Sequence, residues 1–201
     1  MNRFTYFLYL SGKFLDMLVV GIIWVMIYAP KYGILAKIFN SFGLDLLQES
    51  GLLGNPYTAM PAIIFALTLK GAGFGMILFL AAMQNVPGEI YEAAELDGAN
   101  AWEQFLYITL PLVRPVIFFL VITGTIGALN AFTEIYAMTQ GGPNIVVGGY
   151  SLGATQLTGY YLFKTFDNGD YGYAAAISYV LLGITLSISY MNMMLYSKEE
   201  Q

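Results

Sequence analysis

Between Asn85 and Pro111 the chain carries five carboxylates, Glu89, Glu92, Glu95, Asp97 and Glu103, and no basic residue. Carboxylates at that density can offer charge-assisted hydrogen bonds to an arginine or lysine of another protein. No other catalytic group joins them. The 201 residues include no cysteine and no histidine. That removes disulfides, thiolate metal sites, and the commonest general base and zinc ligand. Two more ionisable side chains, Lys70 and Glu134, fall inside apolar runs. A charge there is costly and usually faces a cavity or a partner, although Lys70 could snorkel and Glu134 could already lie at an interface. Asn130, one helical turn from Glu134, is a neutral hydrogen-bonding group on the same face, and Gly127 lies a further turn inward.

These groups must be positioned by a chain that is 58% hydrophobic and 10% charged. Soluble domains carry about 25% charged residues, so this composition points to an integral membrane protein. The net charge of −5 argues against a nucleic-acid partner. With no cofactor or metal implied by any motif, the composition also argues against an enzyme with its own active site. Met1–Ser11 does not read as a signal peptide, since Arg3 is its only charge and no small-residue cleavage site follows.

Apolar runs predict four spans: Phe14–Ala29, with Met1–Leu10 as a possible extension, then Tyr57–Met83, Val113–Met138 and Tyr173–Tyr196. Gly71 and Gly75 form a G-x-x-x-G pair that permits close helix approach. The connection Lys31–Pro56 could hold a short interfacial helix around Phe42, Leu44, Leu46 and Leu47, near Asp45 and Glu49. Thr139–Asp170 opens on the turn cluster Gly141-Gly142-Pro143-Asn144, and its aromatic stretch Tyr150–Phe166 reads as an interfacial helix. With both termini inside, four basic residues (Arg3, Lys13, Arg114, Lys198) fall inside and three (Lys31, Lys37, Lys164) outside, a faint bias in the expected direction.

Within the insert, Gly88–Leu96 predicts one short helix, started by Pro87 and with Glu89 in the favoured first turn. Asp97-Gly98 predicts its stop. Ala101–Ile108 predicts a second helix with Trp102, Phe105 and Ile108 on one face, ended by Pro111. Taken alone, this acidic stretch also fits an ordinary solvated loop.

Its spacing is more specific. Glu92-Ala93-Ala94, three residues, Gly98, nine residues, then Ile108-x-Leu110-Pro111 resembles, without a gap, the EAA signature of permease subunits of binding-protein-dependent ABC importers. The run LAAMQNVPGEIYEAAELDGANAWEQFLYITLP is similar to the carbohydrate-uptake class. So are Phe132…Tyr136…Thr139-x-Gly141-Gly142-Pro143, the segment DYGYAAAIS from Asp170, and Tyr32-Gly33-Ile34-Leu35. The T-x-G-G-P form resembles the larger maltose-type permease subunit.

That resemblance implies an all-α integral membrane helical bundle of the type I ABC importer permeases, one transmembrane domain over 1–201 with the cytoplasmic coupling insert 85–111 inside it. It implies that Glu92, Ala93, Ala94, Asp97 and Gly98 dock on a cytoplasmic ATPase subunit, with Glu92 meeting a basic residue. It implies two such ATPase subunits, a second permease subunit, an extracytoplasmic solute-binding protein, membrane lipid around the chain in a prokaryotic inner membrane, and a sugar, polyol or glycoside as the solute. Matched by distance from the signature, the solute site would involve Lys70, Gly71 and Phe74 on one helix and Gly124, Gly127, Asn130, Ala131 and Thr133 on the next. Phe74, Asn130 and Tyr136 offer the ring face and hydrogen bonds that a sugar needs. A permease for an amino acid, phosphate or metal chelate, and a non-transporting structural or regulatory membrane fragment, stay open. The resembled family has six or more spans against the four counted here. The shortfall is N-terminal, as in a fragment, a truncated product or half of a split permease.

Overall fold

The computed structural model describes residues 16–42 and 50–199, with side chains to Met194. The order is α1 (Met17–Tyr28), α2 (Ile34–Ser41), α3 (Ala59–Gln84), α4 (Gly88–Leu96), α5 (Ala101–Leu129), α6 (Thr133–Met138), β1 (Asn144–Val147), β2 (Tyr150–Gly153), α7 (Thr158–Asp167) and α8 (Tyr171–Glu199). Three of these helices, α3, α5 and α8, are long and apolar enough to cross a membrane. At 1.5 Å per residue each exceeds the hydrocarbon thickness of about 30 Å. α1 is apolar but has 12 described residues, about 18 Å of helix. The proposed extension through Met1–Leu10 lies outside the described residues.

The span expected over Val113–Met138 is divided. α5 stops at Leu129, with Asn130 as its cap. The Asn130 Nδ2 donates to the Ile126 carbonyl oxygen at 2.8 Å and its backbone N–H donates to the same oxygen at 3.2 Å. A short amide side chain that can bond the backbone locally favours such an exit. The chain then restarts as α6, re-aimed against α1.

Pro111 does not end a helix, contrary to the sequence expectation. Residues Phe105–Thr109 form a π turn in which the Leu110 N–H reaches the Phe105 carbonyl, and the helix runs on into the span. A π turn carries one extra residue in a looser ladder, which leaves Pro111 at the start of the next regular segment, where a missing N–H costs little.

Tyr150–Phe166 is likewise not one helix. Val147 pairs with Tyr150 in an antiparallel hairpin closed by Gly148-Gly149 at φ +58° and +85°. Two successive positive φ values are the requirement of a type I′ turn. Only the second half of the stretch is helical, as α7. In Lys31–Pro56 the helix is α2, ending before Phe42; Leu44, Asp45, Leu46, Leu47 and Glu49 lie outside the described residues.

α1 runs antiparallel to the first half of α3. The Tyr28 hydroxyl donates to the Ala62 carbonyl at 2.9 Å, and Trp24 meets Phe65 edge-on at 5.9 Å. α6 packs across both, so that Tyr28, Ala62, Ile63, Ala66, Ile135, Met138 and Tyr160 form the main core. Phe132 stacks on Tyr160 and also meets Tyr136 and Phe163, tying α7 to α6. α8 then packs on α7 and α5, and α5 on α3. This core end of the bundle holds Tyr28, the start of α3 and α6. The insert end, with α4, holds the opposite ends of α3 and α5.

The close helix approach is not at the expected glycine pair. Around Gly71 there is open space, and a Cβ at Gly75 would reach only Leu120 Cδ1 at 3.9 Å. It is Gly21 of α1 that admits a neighbour, since a Cβ there would stand 2.6 Å from Ala137 Cβ on α6.

Candidate functional site

At the insert end, α4 has the bounds read from the sequence, Gly88–Leu96, with Pro87 before it and Glu89 in its first turn. Its end is a Schellman motif. The Gly98 N–H donates to the Glu95 carbonyl at 3.0 Å and the Ala99 N–H to the Ala94 carbonyl at 2.9 Å. Gly98 sits at φ +84°, where any L side chain is strained. A second stop-and-start follows at once. Asn100 accepts from the Trp102 and Glu103 N–H groups at 3.0 Å each, and Glu103 Oε2 accepts from the Asn100 N–H at 2.8 Å. This reciprocal capping box opens α5.

No residue of α4 is buried. Tyr91 and Ala94 are its half-buried side, and the Tyr91 hydroxyl is 2.9 Å from Thr109 Oγ1 on the π turn. That bond tethers the helix to the span below. Glu92, Ala93, Glu95, Asp97 and Gly98 are exposed, and Leu96 is 90% exposed. Glu92 and Leu96, four residues apart, share a face. Of the three residues expected on one face, Trp102 and Phe105 stack at 5.6 Å, whereas the π turn changes the helix phase before Ile108. Sequence reasoning missed Leu96 and the Tyr91–Thr109 tether. The capping box was legible as N-x-x-E directly after a turn.

The second group lies on α3, α5 and the break before α6. A Cβ added at Gly71, Gly124 or Gly127 would meet nothing within 4 Å. The contact of Gly75 with Leu120 sets an antiparallel register that puts Gly71 and Gly124 at one level. Phe74 is exposed, and Lys70 is half-buried. The Lys70 Nζ is turned to α1, donating to Met17 Sδ at 2.7 Å. Asn130 is exposed with its amide on Ile126. Ala131 is buried, and a Cβ at Gly159 would lie 2.8 Å from its carbonyl oxygen. Ala131 is therefore packed against α7 and does not line open space. Thr133 is half-buried at the start of α6. Gly71, Gly124 and Gly127 each face open space, while Lys70 reaches toward α1 and Ala131 packs against α7.

A cavity of about 400 Å³ lies instead at the core end, lined by Val25, Tyr28, Pro30, Leu53, Met138 and Pro143 among others. Beside it, the Gly141-Gly142-Pro143 turn is fastened by Thr155, whose hydroxyl donates to the Gly142 carbonyl at 2.6 Å and lies 2.6 Å from Thr139 Oγ1. Sequence reading recognised this turn as a motif without its buried partner. Among the described residues no cluster of acidic side chains could hold a metal ion.

A bundle of long, bare apolar helices joined at one end by an exposed acidic helix defines a multi-pass membrane protein. Residues 4–197 match the family described as binding-protein-dependent transport system inner membrane component, and the chain belongs to that family. It is 35% identical over 189 residues to the probable ABC transporter permease protein YurN of Bacillus subtilis, covering 92% of this chain and 62% of that one. It is 37% identical over 171 residues to the diacetylchitobiose uptake system permease protein NgcF of Streptomyces coelicolor, covering 84% and 46%. With the lactose transport system permease protein LacF of Rhizobium radiobacter it shares 35% over 190 residues, 85% and 61% of the two chains. The chain therefore spans about half to two thirds of the length of these curated relatives, which are transport components by name. In fold it is similar to a chain of a bacterial ABC transporter involved in the import of the acidic polysaccharide alginate, with a TM-score of 0.80 at 24% identity over 98% of this chain and 65% of that one.

Proposed function

We propose that this chain forms the membrane-spanning part of a permease subunit in an ATP-driven importer of a sugar or related polyol or glycoside. ATP hydrolysis takes place on two partner ATPase subunits. A second permease subunit completes the pathway, and an extracytoplasmic binding protein delivers the solute. The observation that carries this reading is the gapless EAA spacing displayed on a helix with no buried residue. Such a helix gains nothing from its own chain by exposing Leu96 and Glu92. It gains by docking, Leu96 through apolar burial and Glu92 through a charge-assisted bond. The sugar class is supported by relatives named for diacetylchitobiose, lactose and arabinooligosaccharides. The insert faces the cytoplasm in this reading, and the core end faces outward.

The solute pathway is placed along Lys70, Gly71, Phe74, Gly124, Gly127, Asn130 and Thr133, with Ala131 as its packed edge. Alternating access there is a shift between two arrangements biased by nucleotide and binding protein. The test uses the assembled transporter and labelled lactose, diacetylchitobiose and arabinooligosaccharides. Glu92→Lys and Gly98→Leu should abolish uptake and release or uncouple the ATPase while the chain still inserts. Gly127→Leu should block uptake, Asn130→Ala should raise the concentration required, and Lys70→Met should alter uptake or substrate range. Coupled uptake at the normal rate in both insert variants would remove the coupling assignment. Cysteines placed at Asn100 and Asn144 test sidedness, since an impermeant thiol reagent outside should label only position 144.

A further inference from the structure

Lys70 has an odd partner. Its ammonium bonds the thioether of Met17 at 2.7 Å, and a thioether is a weak acceptor that does not compensate a full charge. Met17 also lines a gap that Glu134 enters. The gap is apolar, lined by Met17, Gly21, Ala66, Leu67 and Glu134 among others, and it has no room for a water molecule. Ala66 and Leu67 stand four and three residues before Lys70, on its face of α3. Glu134 is half-buried, and its carboxylate has no hydrogen bond or ion pair among the described residues. It reaches this gap because the chain breaks at Asn130 and α6 turns against α1.

We infer that Lys70 and Glu134 are a charge pair interrupted by the Met17 side chain, with Glu134 acting as a positioning residue for Lys70. The gap between Met17 and Glu134 admits no water, so the two charges meet directly when Met17 changes rotamer. A methionine has three rotatable bonds and suits that role. With Met17 in place, the lysine is held toward α1; with Met17 withdrawn, Glu134 takes it to the α6 side. The functional consequence rests on the placement of Lys70 in that pathway, but the pair itself does not.

Dicyclohexylcarbodiimide, which enters membranes, converts a carboxyl group to an O-acylisourea, and an unprotonated amine in direct contact displaces dicyclohexylurea from it to form an amide. The full chain in membranes is treated with it, digested and analysed by mass spectrometry for a Lys70–Glu134 amide. The amide is expected at low yield in the wild type, at several-fold higher yield in Met17→Ala, and not at all in Glu134→Gln. Met17→Val serves if Met17→Ala does not accumulate. Absence of the amide from the wild type and from the Met17 variant overturns the pair. Equal yields in wild type and variant overturn the role of Met17. Normal uptake by Lys70→Met and Gly127→Leu would remove the pathway assignment while leaving the cross-link result intact.

Discussion

The insert end and the core end of this molecule are built by opposite means. From Gly88 to Gln104 no residue is buried, and shape comes from bonds between near neighbours: a Schellman turn at Gly98, a capping box at Asn100, and one tether from Tyr91 to Thr109. At the core end, α1, α3, α6 and α7 meet through contacts between residues far apart in sequence, and Ile63, Ile135 and Thr155 are fully buried. A nine-residue helix is marginal alone. The difference teaches that this chain places its stability at one end and leaves the other as a presented surface, ordered enough to dock and uncovered enough to be met.

Substitutions can break that contrast. The largest effect on stability is expected for Ile135→Ala, a loss of about 2–5 kcal/mol from the cavity left in the core, read as a lowered thermal midpoint in detergent micelles. If it unfolded like the wild type, the core would lie elsewhere. Thr155→Val should follow, at about 1–3 kcal/mol, because it strips the Gly142 carbonyl of its donor in a buried site. Gly21→Leu should cost a comparable 1–3 kcal/mol, roughly, by overpacking against Ala137. Gly71→Leu, in open space, should leave the same midpoint within about 0.5 kcal/mol. Equal responses from the two glycines would contradict the packing described.

At the insert end the effects should be smaller and local. Gly98→Ala should cost about 1–2 kcal/mol through its left-handed backbone, visible as faster amide exchange at Ala99 with little change in the global midpoint. Leu96→Ser should shift stability least, within about 0.5 kcal/mol, while reducing solute-stimulated ATP hydrolysis in the assembled transporter. A large loss of stability in Leu96→Ser would mean that α4 packs on its own chain.

What could be read beforehand divides along the same line. The bounds of α4, its stop at Gly98 and the start of α5 follow from residues within one or two turns of each other, and the sequence anticipated the α4 bounds and stop. α3 and α8 were anticipated within a few residues because a long apolar run has one economical solution in a bilayer, where every backbone group must be satisfied within its own helix. The missed elements depend on the local chemistry of single residues set in a larger frame. Gly148-Gly149 was a hairpin signal lying just before the aromatic run read as a helix, and Pro111 was read as a stop because a π turn leaves little mark in sequence.

The sequence by itself determined the class of protein, the long apolar helices α3 and α8, and the acidic helix α4. Composition and periodicity act over short stretches, and both are strong here. Only the tertiary structure decided that the chain breaks at Asn130 and sends α6 across α1. It alone decided that Gly21, not the Gly71 and Gly75 pair, is the point of close approach, that Lys70 turns to Met17, and that Met17 and Glu134 line one gap. Those outcomes depend on which faces of separate helices meet, and residues such as Met17 and Lys70, Gly21 and Ala137, or Tyr28 and Ala62 carry no local signal of the partner that packing assigns them.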